Sequence, residues 1–390
     1  MKYDFDSAVE RRGTSSVKWD YLEKTFGNKE VIPMWVADMD FTAPQPVIDA
    51  VVERAKHGVY GYTEKPASFY SSAVQWMKKR HGWNISSDWI TVCPGVVPAL
   101  NLCVQAFTKP GDKVLLQSPV YPPFFASIRN NGRVLVNSPL RLIDNKYVMD
   151  FTDLEAKLAD GVKAMILCSP HNPVGRVWSR EELEKVGTLC VKYDVLLISD
   201  EIHSDLIYKN YKHTPAASLS PEIAERTITF VAPSKTFNIA GFAASLSIIS
   251  NKELRDKFNC FLASLGFDST NLFGITALEA AYNHGEEWLD QALAYLEGNL
   301  DFLMGFLSEK LPKIKVSRPE GTYLVWLDCR DLGMNQKELV NFLIHKANVG
   351  LNDGAAFEAD CDGFMRMNIA CTRSTLKEGL ERIERAINSL

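Results

Sequence analysis

Five residues of unlike chemistry each follow or close a short apolar, β-branched run. Gly95 follows 89–93, Tyr121 follows 113–117, Asn172 follows 164–168, Asp200 closes 195–199 and Lys235 follows 227–231. A lysine amine withdrawn from water has a lowered pKa and can condense with an aldehyde. A carboxylate ending an apolar strand is costly unless a cation, such as a protonated ring nitrogen, faces it. An asparagine amide can donate to a phenolate oxygen, and a tyrosine ring can stack on a flat aromatic system. A glycine turn that opens a helix offers backbone amides to an anion.

Each residue alone has a plainer reading. Cys93-Pro94-Gly95-Val96 could be an ordinary strand–helix turn, and no Gly-Lys-Ser/Thr follows to make it a Walker loop. Tyr121 could be a partly buried tyrosine, Asn172 part of a proline-rich turn between Pro170 and Pro173, and Lys235 a surface lysine. Asp200, Glu201, His203 and His171 could form a metal site. Against that, Asp200 and Glu201 are adjacent on a strand and point to opposite faces, and no second His/Cys cluster is evident. Taken together, five matched residues at five strand ends are what a pyridoxal phosphate site requires.

The elements that must position them can be read from periodicity. Strand patterns cover 89–93, 113–117, 133–137, 164–168, 195–199, 227–231 and 244–249. Several are continuously apolar, as strands buried on both faces are. Helical patterns cover 97–108, 122–131, 151–158 and 179–193, with Pro122-Pro123 fitting a helix start and Ser179 with Glu182 a capping box. This alternation predicts an α/β fold with a mainly parallel seven-stranded sheet flanked by helices, in which ligands bind beyond the strands' carboxyl ends. Past residue 250, long helices (252–265, 275–284, 286–311) lead to short strands at 313–317, 323–328 and 364–369 and helices at 335–347 and 374–390. The expected organisation is an N-terminal arm with part of a small domain (1–46), a large domain (47–285) and a smaller α+β domain (286–390).

The composition of the 390 residues, 46% hydrophobic and 23% charged with net charge −5, is that of a soluble globular protein. The longest basic block is Lys78-Lys79-Arg80, so nothing favours nucleic acid. The N-terminus is too charged for a signal peptide, and no apolar run approaches a membrane span. Eight scattered cysteines without a CxxC pair fit reduced thiols in the cytoplasm.

The ordered set Tyr60-Gly61-Tyr62, Pro94-Gly95, Asn172-Pro173-Val174-Gly175, Asp200-Glu201-Ile202-His203, Ser234-Lys235 and Arg366 resembles fold-type I pyridoxal phosphate enzymes, the aspartate aminotransferase superfamily, over essentially the whole length. Trp35 through Phe41, Ser234 through Gly241 and Phe364 through Cys371 look like the cystathionine β-lyase and cystalysin-type C–S lyase branch. The resemblance implies that Lys235 carries the cofactor and removes the substrate's α-proton. It further implies that Asp200 pairs with the ring nitrogen, Asn172 bonds the phenolic oxygen and Tyr121 stacks on the ring. Gly95, Val96 and Ser234 would hold the phosphate, Tyr62 would reach the phosphate of a neighbouring subunit in a homodimer, and His203 would lie near the phenolic oxygen. Arg366 would clamp the substrate carboxylate near the Ala37 backbone.

Two positions depart from the wider superfamily: Ala243 stands where an arginine often grips the phosphate, and Ala232 where a serine is frequent. Both departures favour the lyase branch. The implied reaction is β-elimination from L-cystathionine or related S-conjugates to a thiol, pyruvate and ammonia, with Lys235 or Tyr121 protonating the sulfur. Amino transfer to a 2-oxo acid and a regulatory role on the same scaffold are the alternatives. Phe124-Phe125 and 267–273 are candidate substrate-facing segments.

Overall fold

In a computed structural model, which describes residues 2–267, 271–358 and 361–390, the seven strand patterns form one sheet. In chain order the strands are β1 (Ile90–Cys93), β2 (Lys113–Leu116), β3 (Val134–Asn137), β4 (Val162–Cys168), β5 (Leu196–Asp200), β6 (Thr227–Val231) and β7 (Ser245–Ile248). Their spatial order is β1-β7-β6-β5-β4-β2-β3. β3, β2, β4, β5 and β6 pair in parallel, and β7 runs antiparallel to both β6 and β1. β1 therefore points the same way as the parallel set. The carboxyl ends of β1, β2, β4, β5 and β6, with the five candidate residues, lie along one edge.

Alternation assigns each face. Val114, Leu116, Ile166 and Ile198 pack under α1 (Val96–Phe107), α2 (Pro122–Arg129) and α3 (Lys252–Ser264). Leu115, Met165, Leu167 and Leu197 pack under helices Phe151–Ala159 and Arg180–Lys192. The second of these starts with the expected Ser179–Glu182 capping box. Pro122 opens α2, where a missing N–H leaves no bond unmade.

A four-stranded antiparallel sheet follows: β8 (Lys315–Val316), β9 (Leu324–Asp328), β10 (Asn352–Asp353) and β11 (Phe364–Asn368), in the order β8-β9-β11-β10. The N-terminal arm joins this region, because Ile32–Pro33 pairs in parallel with Val349–Gly350.

Two helices absent from the periodicity reading complete the architecture, Gln45–Lys56 and Ala67–His81. The second buries Phe69, Ala73, Trp76 and Met77. Its Trp76 stacks on Tyr282, with ring centroids 5.3 Å apart. Within the candidate segment 267–273, positions 268–270 lie outside the described residues.

Candidate active site

Helix α1 starts directly after β1. Gly95 is its N-cap, at φ 152°, so the Val96 and Val97 amides form the helix's first turn. Unsatisfied N–H groups and the helix dipole make such a turn receptive to an anion. Tyr121 caps α2 in the same manner after β2. Beyond β4, the Asn172 amide N–H donates to Cys168 Sγ at 3.4 Å and its side-chain oxygen accepts from Arg366 at 3.1 Å.

Asp200 is the last residue of β5 and is 5% exposed. Its carboxylate accepts from the Ile202 N–H at 3.0 Å. Burial pushes the carboxyl up to about 7; neighbouring Glu201 adds to the rise, while the Ile202 bond and Lys235 oppose it. The two adjacent carboxylates do face apart. Glu201 is held by the Ser199 hydroxyl at 2.8 Å, His213 Nε2 at 2.8 Å and the Ala216 N–H at 2.9 Å.

Lys235 sits on a one-turn helix, Pro233–Thr236, after β6. Its Nζ donates to the Ala37 carbonyl at 2.6 Å. Burial among protein atoms brings the ammonium down to about 8, against the pull of Asp38 and Asp200. The same causes act on His203, where burial beside Lys235 and Arg366 brings the imidazole to about 3 and keeps it neutral. Lys235, Asp200, Asn172, Tyr121, Gly95, Val96, Ser234, His203 and Ala37 line one cavity of about 220 Å³. Ala243 also lines it, as a non-glycine residue at φ 49°.

Arg366, central in β11, is buried beside this cavity and joined to it through Asn172. Its other terminal nitrogen donates to Trp35 O at 2.9 Å and to the Asn352 side chain. The guanidinium lies over the Phe357 ring at 5.1 Å. Burial lowers it to about 10, and its Nε has no partner among the described residues. Tyr62 is not part of this constellation: its side chain is fully exposed at the surface of its own chain. Phe124 is wholly buried in the core, and Phe125 carries Arg129 above its ring.

Sequence reasoning took Trp35 through Phe41 as a family motif and gave a role there only to the Ala37 backbone, near the substrate carboxylate. Asn368 donates to Val36 O and Asp38 O, both at 2.6 Å. Tyr323 donates to Ala37 O at 3.0 Å. Asn238 accepts from the Met39 N–H and donates to Met39 O, both at 2.9 Å. Sequence reasoning missed Asp205 altogether. Its carboxylate takes the Trp76 indole N–H at 3.1 Å, His81 Nε2 at 2.9 Å and the hydroxyl of Thr236, next to Lys235, at 2.8 Å. Burial would raise this carboxyl, yet the bonds from His81 and Thr236 hold it below its ordinary value. A polar residue in a buried run five positions after Asp200 was its one signal.

The family profile described as aminotransferase class I and II matches residues 29–383. The chain is 47% identical over 386 residues to cystathionine beta-lyase PatB of Bacillus subtilis, covering 99% of this chain and 100% of that protein. It is 32% identical to Protein MalY of Escherichia coli, over 100% of both. Among solved structures it matches cystalysin from Treponema denticola, which contains a pyridoxal 5′-phosphate cofactor, with TM-score 0.97, 40% identity and 100% of both chains covered. It also matches the PLP-bound C–S lyase from Staphylococcus hominis, with TM-score 0.93, 35% identity and 99% and 98% of the two chains covered.

Proposed function

The chain belongs to the class I and II aminotransferase family, and from that premise we infer that it is a pyridoxal 5′-phosphate-dependent carbon–sulfur β-lyase. The reaction is elimination from an S-substituted cysteine such as L-cystathionine, which with water gives a thiol, pyruvate and ammonia. One observation carries the reading: an amine lowered to about 8 and a buried carboxyl raised to about 7 line the same cavity. Full-length identity to a cystathionine β-lyase supports the lyase branch.

The cavity residues fit the cofactor. Asp200 is a buried carboxylate whose cost a protonated ring nitrogen would offset. The Gly95–Val96 turn and Ser234 would hold the phosphate, with no arginine at Ala243 to help. Asn172 would bond the phenolic oxygen beside neutral His203, and Tyr121 would stack on the ring. Lys235 is the residue to which the aldehyde would attach. When bound, the cofactor supplies an electron sink for the α-carbon once its proton is gone.

The chain's own residues do the rest. Lys235 Nζ, with a pKa of about 8, exchanges protons near neutrality and takes the α-proton as general base. Arg366 orients the substrate carboxylate from β11, near Ala37. Burial raises the Tyr121 phenol, which keeps it protonated and able to donate to the departing sulfur.

A homodimer in which Tyr62 reaches the phosphate of the other subunit is part of the proposal; the full exposure of Tyr62 supports it. Eight scattered cysteines without a CxxC pair support a reducing, cytoplasmic setting. Incubation with L-cystathionine, and separately with an amino acid plus a 2-oxo acid, tests the function. Pyruvate and free thiol are expected; amino transfer without pyruvate would reject the lyase assignment.

A further inference from the structure

Lys235 is held at both ends. Its amine rests on the Ala37 carbonyl at 2.6 Å, an acceptor it shares with the Tyr323 hydroxyl at 3.0 Å. Any step in which the amine takes a proton requires it to leave that carbonyl, so this contact does not guide the transfer. What stays in place is the backbone end, on the one-turn helix Pro233–Thr236. The turn's own closing bonds are few: Phe237 N–H to Pro233 O at 2.9 Å and Ile239 N–H to Ser234 O at 3.0 Å. A helix this short has little stability by itself, and its orientation must come from neighbouring elements.

Asp205 supplies that orientation from outside the cavity. Its Oδ2 accepts the Thr236 hydroxyl at 2.8 Å, one residue from Lys235. Its Oδ1 accepts from His81 Nε2 at 2.9 Å and from the Trp76 indole N–H at 3.1 Å. Trp76 and His81 both belong to helix Ala67–His81, so one carboxylate ties that helix to the lysine's turn. Asp205 is buried. Burial pushes its carboxyl up, but His81, Thr236 and nearby Arg80 outweigh burial and keep it ionised. Trp76 also packs edge-on against Phe237, the residue after Thr236, with ring centroids 5.5 Å apart. Gly285 approaches the Phe237 ring so closely that a Cβ there would lie 2.4 Å from it. Neither Asp205 nor Thr236 lines the cavity, so neither meets the reacting atoms.

We propose that Asp205 is a positioning residue: through the Thr236 hydroxyl it sets the orientation of the turn from which Lys235 reaches the substrate's α-carbon. This assignment rests on the reading of Lys235 as general base, not on which reaction follows proton removal. No bond forms or breaks at Asp205, and its carboxylate accepts the Thr236 hydrogen throughout. The charge matters, because a charge-assisted hydrogen bond is stronger and shorter than a neutral one. Misplacing a reacting group by about 1 Å costs about 100-fold in rate, so a small tilt of this turn is enough to be felt. Proton removal therefore depends on Asp205, whereas substrate affinity, which Arg366 governs from β11, does not.

Three holoenzyme variants test this: Thr236→Val removes the hydroxyl and keeps the shape, Thr236→Ser keeps the hydroxyl, and Asp205→Asn keeps an acceptor without the charge. The main readout is exchange of the α-proton of L-alanine in heavy water, followed by NMR. L-Alanine carries no leaving group, so exchange isolates proton removal from elimination. KM for pyruvate release from L-cystathionine and the visible absorbance of the bound cofactor are measured in parallel. Thr236→Val should slow exchange about 10- to 100-fold, with KM within about twofold and the absorbance of wild type. Thr236→Ser should recover most of the rate, and Asp205→Asn should fall between. Wild-type exchange in Thr236→Val would overturn the positioning role, as would a loss matched by a rise in KM or by loss of the cofactor's absorbance. Should Thr236→Val not fold, Asp205→Asn decides by the same readouts, and unchanged exchange there overturns the assignment. A wild-type enzyme that exchanges the α-proton but releases no pyruvate would overturn the lyase reading alone; one that exchanges nothing would overturn both.

Discussion

Replacing Asp200 with asparagine should move stability and catalysis in opposite directions. The carboxyl is 5% exposed and has its pKa raised from 3.8 to about 7, chiefly by burial. At 1.36 kcal/mol per pH unit, its ionised form costs the cofactor-free fold at most about 4 kcal/mol above pH 7. Loss of the charge-assisted bond to the Ile202 N–H would reduce the net gain from asparagine to roughly 2–3 kcal/mol. The sign follows from proton counting. Below about pH 4 both folded and unfolded carboxyls are protonated, and charge contributes nothing. As the pH rises towards 7, the unfolded carboxyl ionises first, so the folded state loses stability relative to it. The advantage of Asp200→Asn should therefore be small at about pH 5 and complete at about pH 8. Heat-unfolding midpoints of cofactor-stripped wild type and variant across that range measure it. In the loaded enzyme the same substitution removes one partner of a buried pair. That should cost about 3–5 kcal/mol, a hundred- to several-thousand-fold in kcat/KM. A midpoint no higher than wild type at pH 8 would refute the burial argument, and an equal gain at both pH values would assign the effect to packing.

Lys235→Ala should abolish pyruvate formation while the protein remains folded; undiminished turnover would remove the lysine from its assigned role. Arg366→Ala should raise KM for the amino-acid substrate by about 10- to 100-fold, since a charged bond is lost; unchanged KM and kcat would place the carboxylate elsewhere. Cys260 is exposed whereas the other seven cysteines are buried. Native protein should therefore release one equivalent of colour with a thiol reagent and denatured protein eight; rapid labelling of more than one native thiol would contradict the packing.

The site was legible in the sequence for a topological reason. Parallel strands place their carboxyl ends on one edge, so a polar residue ending an apolar run marks the ligand side. Asp200 and Lys235 stand out in this way without coordinates. Helices Gln45–Lys56 and Ala67–His81 escaped because each is preceded by a proline and has no side-chain cap. The signal was Ala67–His81's own spacing, with Phe69, Ala73, Trp76 and Met77 along one face. Asp205 was opaque because its partners lie 129, 124 and 31 positions away. No local pattern links an aspartate to a tryptophan and a histidine at such separations.

Residues 35–39 tie together groups that chemistry treats separately. Successive carbonyls of this stretch take Arg366, Asn368 and Lys235, and Met39 is fastened at both ends by Asn238. The guanidinium proposed to meet the substrate's carboxylate and the amine proposed to take its α-proton hang from one piece of backbone, two residues apart. Truncation of the chain up to residue 39 would thus remove the backbone carbonyls that anchor both Arg366 and Lys235 at once.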